Sequence, residues 1–263
     1  VDFLSIPLDN ITYLNLENTN IERKSYPWGR AYEVVRDHQT KLVLPSVTTV
    51  LKLITEPKFK HLREKFGEER WQQILDKASF RGTVMHDMLE HFLLEYAVSR
   101  STDNSLEAAQ KIAKEEEEKS PQKLDLIKKG RDLFWNFYHE EFWKDIKCVL
   151  HNELFLWTDF RGGWAGATDF IFEDFSGNHV IIDFKSASSP KDEEDILSYK
   201  CQISAYMFAY AERYGVIPDR GEIWISNEKG SEIQRFTVTK DEFKTYLRKF
   251  LELLAQFREI YGI

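Results

Sequence analysis

The sequence predicts an α/β fold with a helical subdomain before its core, on three observations. After residue 148, short apolar runs of strand length alternate with two amphipathic segments of helical period. Between residues 46 and 147 apolar side chains recur at helical spacing almost without interruption. The N-terminal stretch instead carries short β-branched and aromatic runs. The expected organisation is one domain: N-terminal strands over 1–45, a helical region over 46–147 and an α/β core over 148–263.

In chain order, strands are expected at Ile11–Leu14, Ala31–Val35 and Lys41–Leu44. Pro45 and Ser46 stop the last of these, and Ser46 is placed to cap a helix running through Val47–Leu51. Trp71, Ile74, Leu75 and Ala78 share one helical face, as do Met85, Met88, Leu89, Phe92, Leu93 and Tyr96. Ser101 to Ser105 reads as a loop. Lys114 to Lys119 reads as a solvated helix face, and Pro121 opens a helix to about Trp143. Strands resume at Cys148–Trp157 and in a hairpin described below. A helix from about Glu193 to Tyr214, strands at Gly221–Ser226 and Gln234–Val238, and a helix from Lys240 to about Tyr261 complete the chain.

Composition excludes several classes. With 263 residues, 42% of them apolar and 30% charged, the chain can bury a substantial core. No apolar run has the length of a membrane span, and the start has no signal-peptide pattern. The chain begins at Val1, as a processed or trimmed N-terminus would. A net charge of −8 argues against a generally basic coat for nucleic acid, though a local basic groove is enough to hold phosphates. Cys148 and Cys201 are the only cysteines, so a disulfide framework is excluded and a reducing compartment is expected.

The densest chemical signal is one hairpin. Gly166-Ala167-Thr168-Asp169-Phe170-Ile171-Phe172 and Val180-Ile181-Ile182-Asp183-Phe184-Lys185-Ser186 flank the turn-rich Asp174-Phe175-Ser176-Gly177-Asn178. A turn centred on Ser176 sets Asp169 opposite Asp183, each seven residues from the centre, and pairs Phe170 with Ile182. Side-chain alternation then puts Phe170, Phe172, Val180, Ile182 and Phe184 on one face, and Asp169, Asp183 and Lys185 on the other. Two facing carboxylates repel unless a cation lies between them, and a hard divalent ion with oxygen ligands supplies one. A register slipped by one residue would instead separate the acids.

Other candidates have ordinary readings beside them. His86 and Glu90 lie one helical turn apart, yet an isolated histidine is more often a packing residue. Gln202 and Tyr206 share a helix face, and taken alone the pair is better explained by Tyr206 packing on Ile203 and Tyr210 with a solvated Gln202. Glu153 is either a further carboxylate near the acids or an exposed strand residue. The basic residues of Lys58–Arg70, with Lys128, Lys129 and Arg131, either track phosphates or form a solvated face with interleaved glutamates.

Taken in order, Gly82-Thr83-x-x-His86, Gly166-x-x-Asp169, Asp183-x-Lys185 and Gln202-x-x-x-Tyr206 resemble the RecB-type branch of the PD-(D/E)xK nuclease superfamily. Leu44-Pro45-Ser46-Val47-Thr48-Thr49-Val50-Leu51 is similar to the proline-serine-valine-threonine motif of phage exonucleases and the mitochondrial genome maintenance exonuclease. The resemblance spans roughly Tyr32 to Tyr206. It implies a restriction-endonuclease-like mixed sheet flanked by helices, and Mg²⁺ or Mn²⁺ held by Asp169 and Asp183 with His86 at the same site. It further implies that Lys185 stabilises the attacking water or the developing charge, and that Gln202 and Tyr206 orient the lysine or the substrate. Ser46, Thr48 and Ser186 fall to substrate binding.

The implied reaction is exonucleolytic hydrolysis of phosphodiester bonds in DNA, preferring single strands with free ends, in repair, recombination or replication. A structure-specific endonuclease on the same scaffold and a non-catalytic DNA-binding partner are the alternatives. Two cysteines cannot ligate the four-thiolate iron–sulfur cluster of several RecB-like relatives, and no Gly-x-x-x-x-Gly-Lys-Ser/Thr motor motif is present. The second acid is aspartate where glutamate is commoner. A cytoplasmic setting in a prokaryotic or phage-infected cell is expected, with the mitochondrial matrix as the alternative. No protein partner or membrane is implied.

Overall fold

The computed structural model describes residues 20–36 and 40–263, so the strand expected at Ile11–Leu14 lies outside the described residues. Strands β1 (Asn20–Tyr26), β2 (Gly29–Arg36) and β3 (Thr40–Pro45) form an antiparallel sheet in that order. Helices α1 (Val47–Val50), α2 (Lys52–Phe66), α3 (Glu68–Ser99), α4 (Thr102–Lys119) and α5 (Leu124–His139) follow. The second sheet contains β4 (Ile146–Thr158), β5 (Trp164–Asp174), β6 (His179–Ala187), β7 (Arg220–Asn227) and β8 (Gln234–Thr239), again in sequence order. Helix α6 (Leu197–Tyr214) connects β6 to β7, and α7 (Lys240–Tyr261) ends the chain.

This second sheet is mixed, because β6 and β7 run parallel while every other neighbouring pair is antiparallel. A parallel pair needs a crossover of helix length, and α6 supplies it. The sheet is apolar on both faces, which obliges helices to cover both. Ile171, Ile181 and Ile223 pack with Val50 of α1, Met207 of α6 and Phe250 of α7. Phe170, Phe172, Ile182 and Phe184 pack on the other side with Met88 and Phe92 of α3 and Phe134 of α5. Each such side chain contributes roughly 1.5–3 kcal/mol on burial. Among the described residues no helix is long and apolar enough to cross a membrane.

Several boundaries differ from the sequence expectation. Ser101–Ser105 is not a loop: Ser101 caps α4, its side chain accepting from Asn104 N at 3.2 Å. Serine, threonine, aspartate and asparagine favour loops and helix caps for the same reason, so that composition alone does not separate the two. The helix after Pro121 ends at His139, and Glu141 turns left-handed (φ 49°), which lets Phe142 and Trp143 enter the core against Trp224 and Phe92. Helix α6 starts at Leu197, after a turn. Strand β1 was not among the expected elements; its polar, exposed pattern carries little apolar alternation.

Glu33 ties the small sheet together. It accepts from Tyr26 Oη (2.7 Å) and pairs with Lys24 (2.8 Å) and Lys41 (2.9 Å). The hydrogen bond from Lys24, then those from Lys41 and Tyr26, lower its carboxyl from 4.5 to about 2. A depressed folded-state pKa means stabilisation present above 4.5 and lost as the pH falls through about 2. Glu33→Gln should therefore lower Tm at neutral pH, with the gap to the unsubstituted protein closing as acid is added through that window. A gap constant with pH in thermal melts would overturn this.

Candidate active site

The expected register holds: Phe170 pairs with Ile182, Ile171 with Ile181 and Phe172 with Val180. The β5–β6 ladder stops there, one position short of Asp169 and Asp183. Where the strands part, Phe184 N–H has no ladder partner on β5, and Asp169 Oδ2 accepts from it at 2.7 Å. Oδ2 also lies 3.7 Å from His86 Nδ1, brought in by α3. Asp183 stays on β6, which is still paired with β7 through Asp183–Ile223 and Lys185–Ile225.

Asp183 is 1% exposed and divides its two oxygens between two partners. Oδ1 accepts from Gln202 Nε2 at 3.2 Å. Oδ2 pairs with Lys185 Nζ at 2.5 Å and accepts no hydrogen bond from another group. Gln202 in turn donates to Tyr206 Oη at 3.4 Å. The ordinary reading of Gln202 as a solvated residue is thus corrected: it is buried, one turn from Tyr206, and its amide meets the acid. Lys185 Nζ sits 5.2 Å from the Tyr199 ring centroid. Tyr199, Gln202 and Tyr206 occupy i, i+3 and i+7 of α6, a spacing that could have added Tyr199 to the candidates.

Burial disfavours charge on both aspartates and pushes each carboxyl up to about 6, against the pull of Lys185. For Lys185, burial opposes the charge, but Asp183 and Asp169 outweigh it and hold the pKa above the ordinary lysine value. Burial, then Lys185, lowers His86 to about 4, leaving a neutral imidazole. Its side chain is still 32% exposed, so water offsets part of that effect.

Glu153 joins this surround. The pairs Asn152–Phe170 and Leu154–Thr168 flank it, so by register it lies opposite Asp169 from β4. Its backbone is left-handed (φ 53°), and desolvation by the surrounding strands, then Asp169 and Glu90, push its carboxyl up to about 7, an effect that its exposure to water reduces. Of its two sequence readings, it is both: an exposed strand residue and an acid within the field of the aspartates.

The remaining expected residues lie around this centre. Ser186 alternates to the other face of β6, against Gly82 of α3. Ser46 is 1% exposed and works as the cap of α1, accepting from Thr49 N (3.1 Å) and donating to Thr49 Oγ1 (2.8 Å). Thr48 accepts from Arg30 Nη2 at 2.6 Å, a cation that no sequence motif had marked. A parallel bridge from Ser46 to Ala165 joins this cap to the start of β5.

The donor set fits a hard divalent cation. Two desolvated carboxylates, a neutral imidazole and a nearby glutamate face a single lysine, and carboxylate oxygens suit Mg²⁺ or Mn²⁺. Among the described residues no three His, Cys, Asp or Glu side chains already stand as a metal-binding group. The aspartates are instead engaged by Phe184 N–H, Gln202 and Lys185.

Known proteins place this arrangement in context. No curated protein sequence matches the chain significantly. Among solved structures, the chain resembles a candidate exonuclease from Eubacterium rectale, with 15% identity and a TM-score of 0.44 over 66% of this chain and 68% of that one. It also resembles the protein SSO0001, with 11% identity and a TM-score of 0.36 over 56% of this chain and 70% of that one. Neither likeness is close enough to carry an argument. The PD-(D/E)XK nuclease superfamily model, in contrast, matches residues 46–261, from the cap of α1 to the end of α7. These are hydrolytic nucleases of DNA that generally use divalent ions such as Mg²⁺. With so much of its length matched, the chain belongs to the PD-(D/E)XK nuclease superfamily.

Proposed function

We propose that this protein is a Mg²⁺- or Mn²⁺-dependent DNA exonuclease preferring single-stranded DNA with free ends. One observation carries the reading: the β5–β6 ladder opens immediately beyond Phe170–Ile182, where Asp169, Asp183 and Lys185 lie together. Asp169 and Asp183 hold the ion, with His86 as a neutral nitrogen ligand. Bound there, such an ion would supply polarisation of the scissile phosphate and a more acidic water.

The chain's own residues do the rest. Lys185 keeps a compact positive charge where the phosphate gains negative charge as the water oxygen bonds to phosphorus. The bond to the leaving sugar oxygen breaks; the attacking water gives up a proton to solvent, and the leaving oxygen takes one from solvent to end as a hydroxyl. Gln202 fixes Asp183 through Oδ1, and Tyr206 backs Gln202, so both are positioning residues. Thr48 with Arg30, and Ser186 beside Gly82, flank the path of the strand. Ser46 acts on it through the cap that sets Thr48. The preference for single strands and for ends rests on the ordered motifs, including the Ser46–Thr49 segment bridged to Ala165.

The test uses end-labelled linear and covalently circular single-stranded DNA, and linear duplex, with Mg²⁺, Mn²⁺ or EDTA. Linear single strands should be degraded with either metal and untouched in EDTA, while the circle stays whole. Cutting of the circle would replace the exonuclease reading with an endonuclease. No metal-dependent cutting of any substrate would remove it.

A further inference from the structure

Arg30 and Tyr32, which no motif marks, stand on the small sheet where it meets the nuclease core. They lie two residues apart on β2, so alternation puts both on one face. That face packs on the β4–β5 ladder, where Tyr32 and Phe155 lie against Val34, Leu44, Trp157 and Ala165. Phe155 pairs with Ala167, two residues before Asp169 and roughly 7 Å from it along β5. Tyr32 also comes near the α6 wall of the site. Burial first, then Asp183, with Asp169 and Tyr32 adding to them, raise the pKa of the Tyr206 hydroxyl.

The fold leaves these groups with capacity to spare. Tyr32 and Phe155 are half-buried and meet edge to face, with ring centroids 4.8 Å apart and planes at 63°. Among the described residues neither ring has another aromatic partner, and the Tyr32 hydroxyl makes no hydrogen bond. Arg30 is likewise half-buried, and of its fork of donors only Nη2 is engaged, to Thr48 Oγ1 at 2.6 Å. No carboxylate pairs with it among the described residues.

The cation is held in place from behind. Ser46 N and Thr49 Oγ1 both donate to Arg30 O at 3.0 Å. Gly29 (φ 130°) permits this approach, because a Cβ there would lie 2.6 Å from Thr49 Cγ2. Ser46 Oγ lies 3.1 Å from Thr48 Oγ1, and Ser46 bridges to Ala165 at the start of the strand that carries Asp169. Arg30 is thereby tied to the same strand as the acid.

A single strand is held by a cation for its backbone and an aromatic face for a base. An arginine with free donors matches a phosphate, and a ring offers most to a base that is not already stacked in a duplex. We propose that Tyr32 and Phe155 stack one base of single-stranded DNA while Arg30, steadied by Thr48, holds a phosphate of the same strand. This rests on the nuclease reading and gives its preference for single strands a physical source. Every base has a face to stack, so the track guides the strand without reading its sequence.

Fluorescence anisotropy of the whole protein in EDTA tests this, with a dT strand, an equally long strand of abasic residues, and a duplex. The dT strand should bind about tenfold more tightly than the abasic one, the worth of one base stack. Tyr32→Leu should weaken dT about tenfold and leave the abasic strand and the duplex unchanged. Tyr32→Phe should bind dT as the unsubstituted protein does, because stacking needs the ring and not the hydroxyl. Arg30→Gln should weaken both single strands and flatten the slope of log affinity against log salt by about 0.7, the share of one phosphate. Packing roles for these residues would change neither the salt slope nor the difference between dT and abasic strands. Thermal melts identify a variant that has not folded, and the dT-to-abasic ratio of the unsubstituted protein then carries the test. Equal binding of dT and abasic strands, equal losses on both with Tyr32→Leu, or an unchanged salt slope with Arg30→Gln overturns the proposal. Cleavage of linear single strands in Mg²⁺ separates the two failures. Cleavage without these differences removes only the track, and these differences without cleavage remove the nuclease reading.

Discussion

Lys185→Ala should reduce DNA cleavage by about 10²–10³-fold, with DNA binding nearly unchanged. Lys185 is the ammonium held at Asp183 Oδ2, between two buried aspartates that keep it charged. Its removal takes a fixed positive charge from where the phosphate becomes more negative, and no other described cation pairs with Asp183 or Asp169. Lys185→Arg should recover little, because a planar guanidinium does not reproduce a compact ammonium beside Tyr199. Single-turnover rates and gel-shift affinities measured together decide the matter. An alanine variant within a few-fold of full rate would remove Lys185 from the chemistry.

Gly166→Ala should disable the site from a position that touches no substrate. A Cβ there would stand 2.7 Å from Tyr206 Oη and 2.9 Å from its Cε1. Tyr206 is 3% exposed, so the ring has little room to retreat. Overpacking of this kind costs about 1–3 kcal/mol. The displaced hydroxyl also leaves Gln202, whose amide holds Asp183, and a misplacement of this order costs about 10²-fold in rate. Tyr206→Phe in the same chain removes the nearest clashing atom but leaves Cε1 at 2.9 Å, and should restore only part of the lost Tm. If Gly166→Ala melts and cuts normally, the contact between β5 and α6 does not position the acid.

Much of this was legible in the sequence because the information is local. The hairpin register depends on a turn and two apolar alternations, all within Gly166–Ser186, and Phe170–Ile182 pairing follows from counting. The Thr239–Glu242 capping box likewise marks the start of α7 within four residues. Ser101–Ser105 departs from the expected loop because its residues satisfy a loop and a helix cap equally well. Glu141 was missed because the break there serves Phe142 and Trp143, whose partners Trp224 and Phe92 are distant in sequence.

By itself, then, the sequence determined the strand pairing, the face on which Asp169, Asp183 and Lys185 gather, and the order of motifs that marks the superfamily. Side-chain alternation and turn composition act over a few residues, so they can be read along one line. Only the tertiary structure decided that Gln202 is buried against Asp183, that Glu153 lies opposite Asp169, and that Arg81 and Lys129 both pair with Glu228. Those arrangements depend on which helix covers which strand. Periodicity says that a face is buried, but not what lies on top of it.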